Sequence, residues 1–205
     1  MFNNTKIAVK VMYVLGIMVL LMGAVGYIGI VNIRKIEKAN HEMYEINTVS
    51  LGDIADVAIS YQRTRVNLRE MLIEKDKTKH QKYLDRLKDL DKEIEEKMGA
   101  FEKSIRGSDE INKKFNSLKN HIAKFAPMRD EITKLITSDQ EDKAIALIKG
   151  DGFTLAKEID DTISNLFELK ISQAKERADD NMNISDSAVK FSLITILIGT
   201  IVSVL

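Results

Sequence analysis

The sequence has no cysteine and no tryptophan, a single proline, and aromatic residues at only 6% of its 205 positions. Without cysteine there is no disulfide framework and no thiolate for metal binding or nucleophilic attack, and the redox compartment stays open. One proline, Pro127, and ten glycines, five of which (Gly16, Gly23, Gly26, Gly29 and Gly199) sit in apolar stretches, leave few breakers for anything other than helix. Charge of one sign is also missing, since 31 basic residues balance 31 acidic ones. Lys6, Lys10 and Lys190 are the only charged residues outside 32–187, so that region is net acidic. No nucleic acid is expected as a partner, because phosphate binding wants a basic surface.

What is present in quantity is apolar sequence at both ends. Residues 11–31 are uncharged and apolar, and about 20 residues at roughly 1.5 Å rise cross a bilayer core. The run is longer than the roughly 7–15 apolar residues of a signal peptide, and Gly29-Ile30-Val31-Asn32 offers no small-x-small cleavage site. An uncleaved anchor is therefore expected. The second run, Phe191 to Leu205, reaches only about 22 Å as a helix against a core of roughly 30 Å. The expectation is a chain cut inside a second span, the front part of a longer protein. The division is then 1–10 as the N-terminal tail, 11–31 as the first transmembrane helix, 32–187 as one domain large enough for a real core, and 188–205 as the start of the second transmembrane helix. Lys6 and Lys10 precede the first span while Arg34, Lys35 and Lys38 follow it, so charge counting sets no orientation.

Between the spans the apolar residues recur at helical spacing. Ile36, Met43, Ile54, Val57, Tyr61, Leu68 and Met71 form a heptad stripe in which Asn40, Asn47, Ser50 and Thr64 take other seam positions. Thr78 and Gln81 suit a capping box for a second helix with Leu84, Leu87, Leu90, Ile94, Met98, Phe101 and Ile105 on one face, ending at Gly107. Ser108 caps a third with Ile111, Phe115, Leu118, Ile122, Phe125, Ile132 and Ile136, which Pro127 should kink. Ser138 and Glu141 suit a second capping box, opening a short helix that Gly150-Asp151-Gly152 ends. From Phe153 a last helix shows Ala156, Ile159, Ile163 and Leu166. Four long amphipathic segments with short turns predict an all-α, up-down-up-down antiparallel four-helix bundle whose first and last helices continue into the spans.

Catalytic and metal chemistry find no constellation. His41, His80 and His121 lack ligand-spaced companions, Gly150-Asp151-Gly152 lacks the phosphate-loop setting, and the carboxylates read as solvent-facing helix pairs such as Glu93 with Lys97. No enzyme, no metal and no cofactor is expected. One cluster stands out, Gln62 to Arg69. Arg65 and Arg69 lie one turn apart beside Leu68, where two guanidinium groups suit a bidentate grip on an anion or, alternatively, pairing with acids of a neighbouring helix. Arg65 lies as far beyond the first span as Thr154 lies before the second, both roughly 50 Å up at about 1.5 Å per residue. Thr154 and Phe153 are thus candidates to face Arg65, at the end of the bundle far from the membrane.

Span, helical middle and second span together resemble the front half of a bacterial methyl-accepting chemotaxis receptor with a four-helix-bundle sensor module. Thr64-Arg65-x-Asn67-Leu68 is similar to a stretch on the first sensor helix of the enteric aspartate and serine receptors, where the arginine contacts the amino-acid ligand. Asp142-Lys143-Ala144 and the Gly150-Asp151 turn resemble that module's lead-in to its last helix. The aspartate receptor's further carboxylate-holding arginines would fall at Glu70 and Glu74, which argues against aspartate itself, with Arg69 one residue away as a substitute. The resemblance implies a homodimer in the cytoplasmic membrane with an extracytoplasmic sensor, a cytoplasmic N-terminus, and a HAMP relay and signalling domain beyond Leu205. It implies a small anionic or amino-acid-like ligand bound at the dimer interface near the far end of the bundle, which makes Thr64, Arg65, Asn67 and Arg69 the candidate binding residues, joined by Phe153 and Thr154 from the count along the helices. Two other readings stay open: a membrane-tethered scaffold bundle, and the sensor half of a histidine kinase or cyclic-nucleotide enzyme.

Overall fold

A computed structural model describes residues 7–204; Lys6 with the start of the N-terminal tail, and Leu205, lie outside the described residues. Helix α1 spans Ile7–Met43 and is followed by a π turn, Tyr44–Thr48. Helix α2 is Val49–Ile73, and a 3-10 turn, Lys77–Lys79, leads into α3, His80–Lys103. Then come α4, Asp109–Thr137, the short α5, Glu141–Lys149, and α6, Asp151–Val204. Among the described residues there is no strand. The chain forms two compact units, one of residues 1–43 with 175–205 and one of residues 44–174.

In the first unit the apolar side chains face outward. Met12, Leu20, Met22, Tyr27 and Ile30 on α1, and Leu193, Ile196 and Leu197 on α6, are exposed. Two stretches, one in each helix, are long and apolar enough to cross a membrane. Beyond these stretches the same two helices meet through polar groups: Asn181 Nδ2 donates to Asn40 Oδ1 at 3.2 Å, and Arg177 lies 3.9 Å from Glu42.

The second unit is the four-helix bundle, and its core follows the heptad stripes. Ile54, Val57, Tyr61, Leu68 and Met71 of α2 are buried with Leu87, Ile94, Met98 and Phe101 of α3. Ile111, Phe115, Leu118, Phe125, Ile132 and Ile136 of α4 meet Leu155, Ala156, Ile159, Ile163 and Leu166 of α6. Each of the larger of these side chains contributes about 1.5–3 kcal/mol by leaving water, which is why the apolar period dictates the faces that pack. The polar seam residues Asn47, Ser50 and Thr64 are buried as well. Ser50 and Thr64 satisfy themselves one turn back, on the carbonyls of Ile46 and Ser60.

Three local features differ from the sequence expectation. Asp76, not Thr78, starts the turn before α3: its carboxylate accepts from the Thr78 amide and hydroxyl, while Gln81 bonds Asp85. An ionised acceptor makes the stronger bond, and it draws the Thr78 hydroxyl into the turn. Ser138 ends α4 instead of opening α5, because Asp139 takes a left-handed φ of 59° and lets the Gln140 amide return to Leu135 O at 2.9 Å. Gly150 alone separates α5 from α6, which already begins at Asp151. Ser108 caps α4 as expected, accepting from the Ile111 amide at 3.3 Å, and Gly107 before it takes a φ of 70° that glycine alone adopts readily. Pro127 lies within α4, which runs on past it to Thr137.

Candidate functional site

The buried face of α2 sets the site. Tyr61 and Leu68, two turns apart, are anchored in the core, with the Tyr61 ring edge-on to Phe125 of α4 at 5.0 Å. Arg65, one turn from each, is carried to the rim of the core on the α6 side. Its guanidinium sits 5.7 Å from the Tyr61 ring centroid and donates from Nη1 to Asp160 Oδ2 at 3.1 Å. Gln62 joins the same carboxylate, donating to Asp160 Oδ1 at 3.0 Å, and accepts from Arg65 Nη1 at 3.2 Å. Burial pushes the Tyr61 hydroxyl well above its ordinary pKa, and the neighbouring Arg65 only partly offsets this.

A cavity of about 270 Å³ opens beside Arg65. Its apolar wall comes from Leu68, Phe125, Ile132, Ile148 and Phe153, on α2, α4, α5 and α6. Three cations, Arg65, Arg69 and Lys149, line it, and no carboxylate does. Arg69 donates through Nε to the Arg65 carbonyl at 3.2 Å, which orients the guanidinium while leaving Nη1 and Nη2 without a protein partner among the described residues. Gly152 completes the wall, and a Cβ there would meet Leu147 O at 2.9 Å. Only glycine lets α6 start this close to the end of α5, and that close start brings Phe153 to the cavity.

Of the six candidate residues, Arg65, Arg69 and Phe153 thus meet at one cavity. Thr64 is buried, with its hydroxyl on Ser60 O. Asn67 lies on another face of α2, in a shallow groove with Val66, Glu70 and Arg86. Thr154 is exposed and its hydroxyl turns back to Gly150 O at 3.5 Å. Counting residues from the two spans placed Thr154 level with Arg65, yet the α6 residue bonded to Arg65 is Asp160, nearly two turns further on. Pairing with an acid of a neighbouring helix is realised for Arg65, and no such acid binds Arg69 among the described residues. Lys149 and Asp160 carry no signal in the sequence, since both sit among ordinary helix-surface charges; only the spacing from Phe153 to Asp160, two turns along one face, hints that they share a side.

Elsewhere, His121 Nδ1 lies 3.2 Å from Glu158 Oε2. Among the described residues no group of three or more acids and histidines is placed to hold a metal. The lower part of the bundle is tied by a buried lysine: Lys170 Nζ donates to the carbonyls of Ile46 at 3.0 Å and Ser104 at 3.1 Å and lies 5.3 Å from the centroid of the Phe101 ring.

No curated protein matches the chain. Residues 4–184 match a family of four-helix-bundle sensory modules for signal transduction. The match takes in both the bundle and most of the helices flanking it. The chain belongs to that family, the four-helix-bundle sensory module of methyl-accepting chemotaxis proteins.

Proposed function

We propose that the chain is the sensor half of a transmembrane chemoreceptor, which detects a small anionic or amino-acid-like molecule outside the cell and passes the event through the membrane to a signalling domain, with a HAMP relay, beyond Leu205. The observation that carries this reading is the cavity at Arg65, where three cations, of which Arg65 alone is paired with an acid, meet an apolar wall inside a module of a sensory family. The helix that supplies Phe153 and Asp160 is also the helix that carries the second apolar stretch, so a ligand that favours one packing of α6 biases the segment entering the membrane. Residues 11–31 are the first span and residues 188–205 the start of the second, residues 1–10 are cytoplasmic, and residues 32–187 form the extracytoplasmic sensor. The bundle is up-down-up-down and its first and last helices continue into the spans.

The protein works as a homodimer. Ile59, Val66 and Ile73 recur every seven residues along α2, each at least 46% exposed in the single chain, a seam that suits the same helix of a second copy.

Two measurements on the full chain in lipid nanodiscs and in cells test the reading. Thermal shift against a panel of carboxylic acids and amino acids must find a stabilising compound whose effect disappears in Arg65→Ala. Because the chain has no cysteine, Asn120→Cys, at an exposed position of α4, reports topology alone: labelling by an impermeant maleimide from outside intact cells is expected, and labelling only after lysis overturns the extracytoplasmic sensor.

A further inference from the structure

We infer that the cavity at Arg65 takes an organic carboxylate with an apolar body and no ammonium group, an inference that rests on the sensor reading above and narrows its ligand. The argument is one of complementarity in charge. Arg65 engages Asp160 and Gln62 through Nη1 alone, so its Nε and Nη2 have no partner among the described residues. Arg69 has both Nη atoms in the same condition, and Lys149 has no hydrogen bond or ion pair there. With Asp160 paired to Arg65, the three cations keep an excess of two positive charges around one cavity, and a single carboxylate relieves that excess while meeting the planar donor forks of the two arginines.

An α-amino acid brings a second charge that the cavity does not answer. An ammonium needs acceptors, and no carboxylate lines the wall. Asp160, the acid that reaches the cluster, does not line the cavity, and its charge is engaged by Arg65 with Gln62 on its other oxygen. A zwitterion would therefore set its cation against three others in a partly desolvated space, whereas the deaminated acid would not. The remainder of the wall is Leu68, Phe125, Ile132, Ile148 and Phe153, which favours a hydrocarbon body. About 270 Å³ lies just under the roughly 300–1,000 Å³ usual for ligand pockets, so the body is short. All these residues belong to one chain.

Isothermal titration of the full chain in nanodiscs with four probes separates the features. These are 4-methylpentanoate; L-leucine, which is the same skeleton with an ammonium; 4-methylpentan-1-ol, which lacks the charge; and acetate, which lacks the body. Binding of 4-methylpentanoate at least ten-fold tighter than the other three is expected. Arg69→Gln and Lys149→Gln, both on exposed side chains, each weaken it three- to ten-fold with unchanged thermal unfolding. L-leucine binding as tightly as 4-methylpentanoate, with the same loss in Arg69→Gln, overturns the ligand class and leaves the sensor reading standing. Binding indifferent to both variants puts the probe elsewhere and overturns the inference. Binding of none of the four overturns it too, while the sensor reading then stands or falls on the wider panel and the topology.

Discussion

The ammonium of Lys170, fully buried on α6, donates a 3.0 Å hydrogen bond to the carbonyl of Ile46 inside the π turn. A π turn widens the helix by one residue and frees a carbonyl from the regular ladder. The Ile46 carbonyl also accepts from Ser50 Oγ at 2.6 Å. Lys170 further reaches the carbonyl of Ser104, at the C-terminal end of α3, where the helix dipole favours a cation. One side chain thus ties α6 to both neighbouring helices at the lower end of the bundle.

Lys170→Met is expected to lower the stability of the full chain by about 1–3 kcal/mol, the scale of taking the lysine donor from the Ser104 carbonyl and one of two side-chain donors from the Ile46 carbonyl. Denaturant unfolding in detergent measures this, and hydrogen exchange at residues 44–48 should quicken more than at the far end of α2. A methionine variant more stable than the parent would contradict the role given to this lysine.

Tyr61 presents the opposite case. Its hydroxyl is buried without a partner among the described residues while its ring packs on Phe125. Tyr61→Phe removes the unsatisfied oxygen and is expected to be neutral or stabilising by up to about 1 kcal/mol. Tyr61→Ala should cost about 3–5 kcal/mol through the cavity left behind. Thermal unfolding of the two variants side by side checks the sign of the first and the size of the second.

Asp160 competes with any anion for Arg65. Asp160→Asn keeps the shape, removes the charge, and is expected to raise affinity for 4-methylpentanoate three- to ten-fold. The stability change should stay within about 1 kcal/mol, since an ion pair this exposed is worth little. Titration of the variant decides it, and weaker binding would mean that Asp160 serves to position Arg65.

Acid should loosen the turn between α2 and α3. Hydrogen bonds from the Thr78 hydroxyl and amide hold the Asp76 carboxyl below its ordinary value of 3.8, and the Asp76 amide does the same for Glu74. A carboxyl lowered by folding contributes stability above its unfolded pKa and loses it as pH falls through the folded one. The loss therefore begins near 3.8 for Asp76 and continues below it. In Asp76→Asn the fall of melting temperature with acid should be shallower over that range than in the parent, and identical slopes would remove Asp76 from the account.

The exposed heptad on α2 predicts like-to-like contact across the dimer. Val66→Cys should form a disulfide-linked dimer under mild oxidation in membranes, while Asn120→Cys, on the exposed side of α4, should not. Equal cross-linking of both would mean random collision.

Much of this protein is legible along one dimension. The apolar period alone determined that α2, α3, α4 and α6 are helices and which faces they bury, because burial of each stripe dominates every local preference. Two apolar stretches and the Arg65 cluster are visible for the same reason, as composition that no neighbour can disguise. What only the tertiary structure decided is which residues of different helices stand level. Sliding one helix by a turn leaves its stripe intact, so nothing in the sequence distinguishes Asp160 from Thr154 as the partner of Arg65, or marks Lys149 among surface lysines as the third cation of the cavity. Lys170 shows the limit most sharply: a lysine reads as solvated, and only the meeting of a π turn with the end of α3 supplies the two carbonyls that let it be buried.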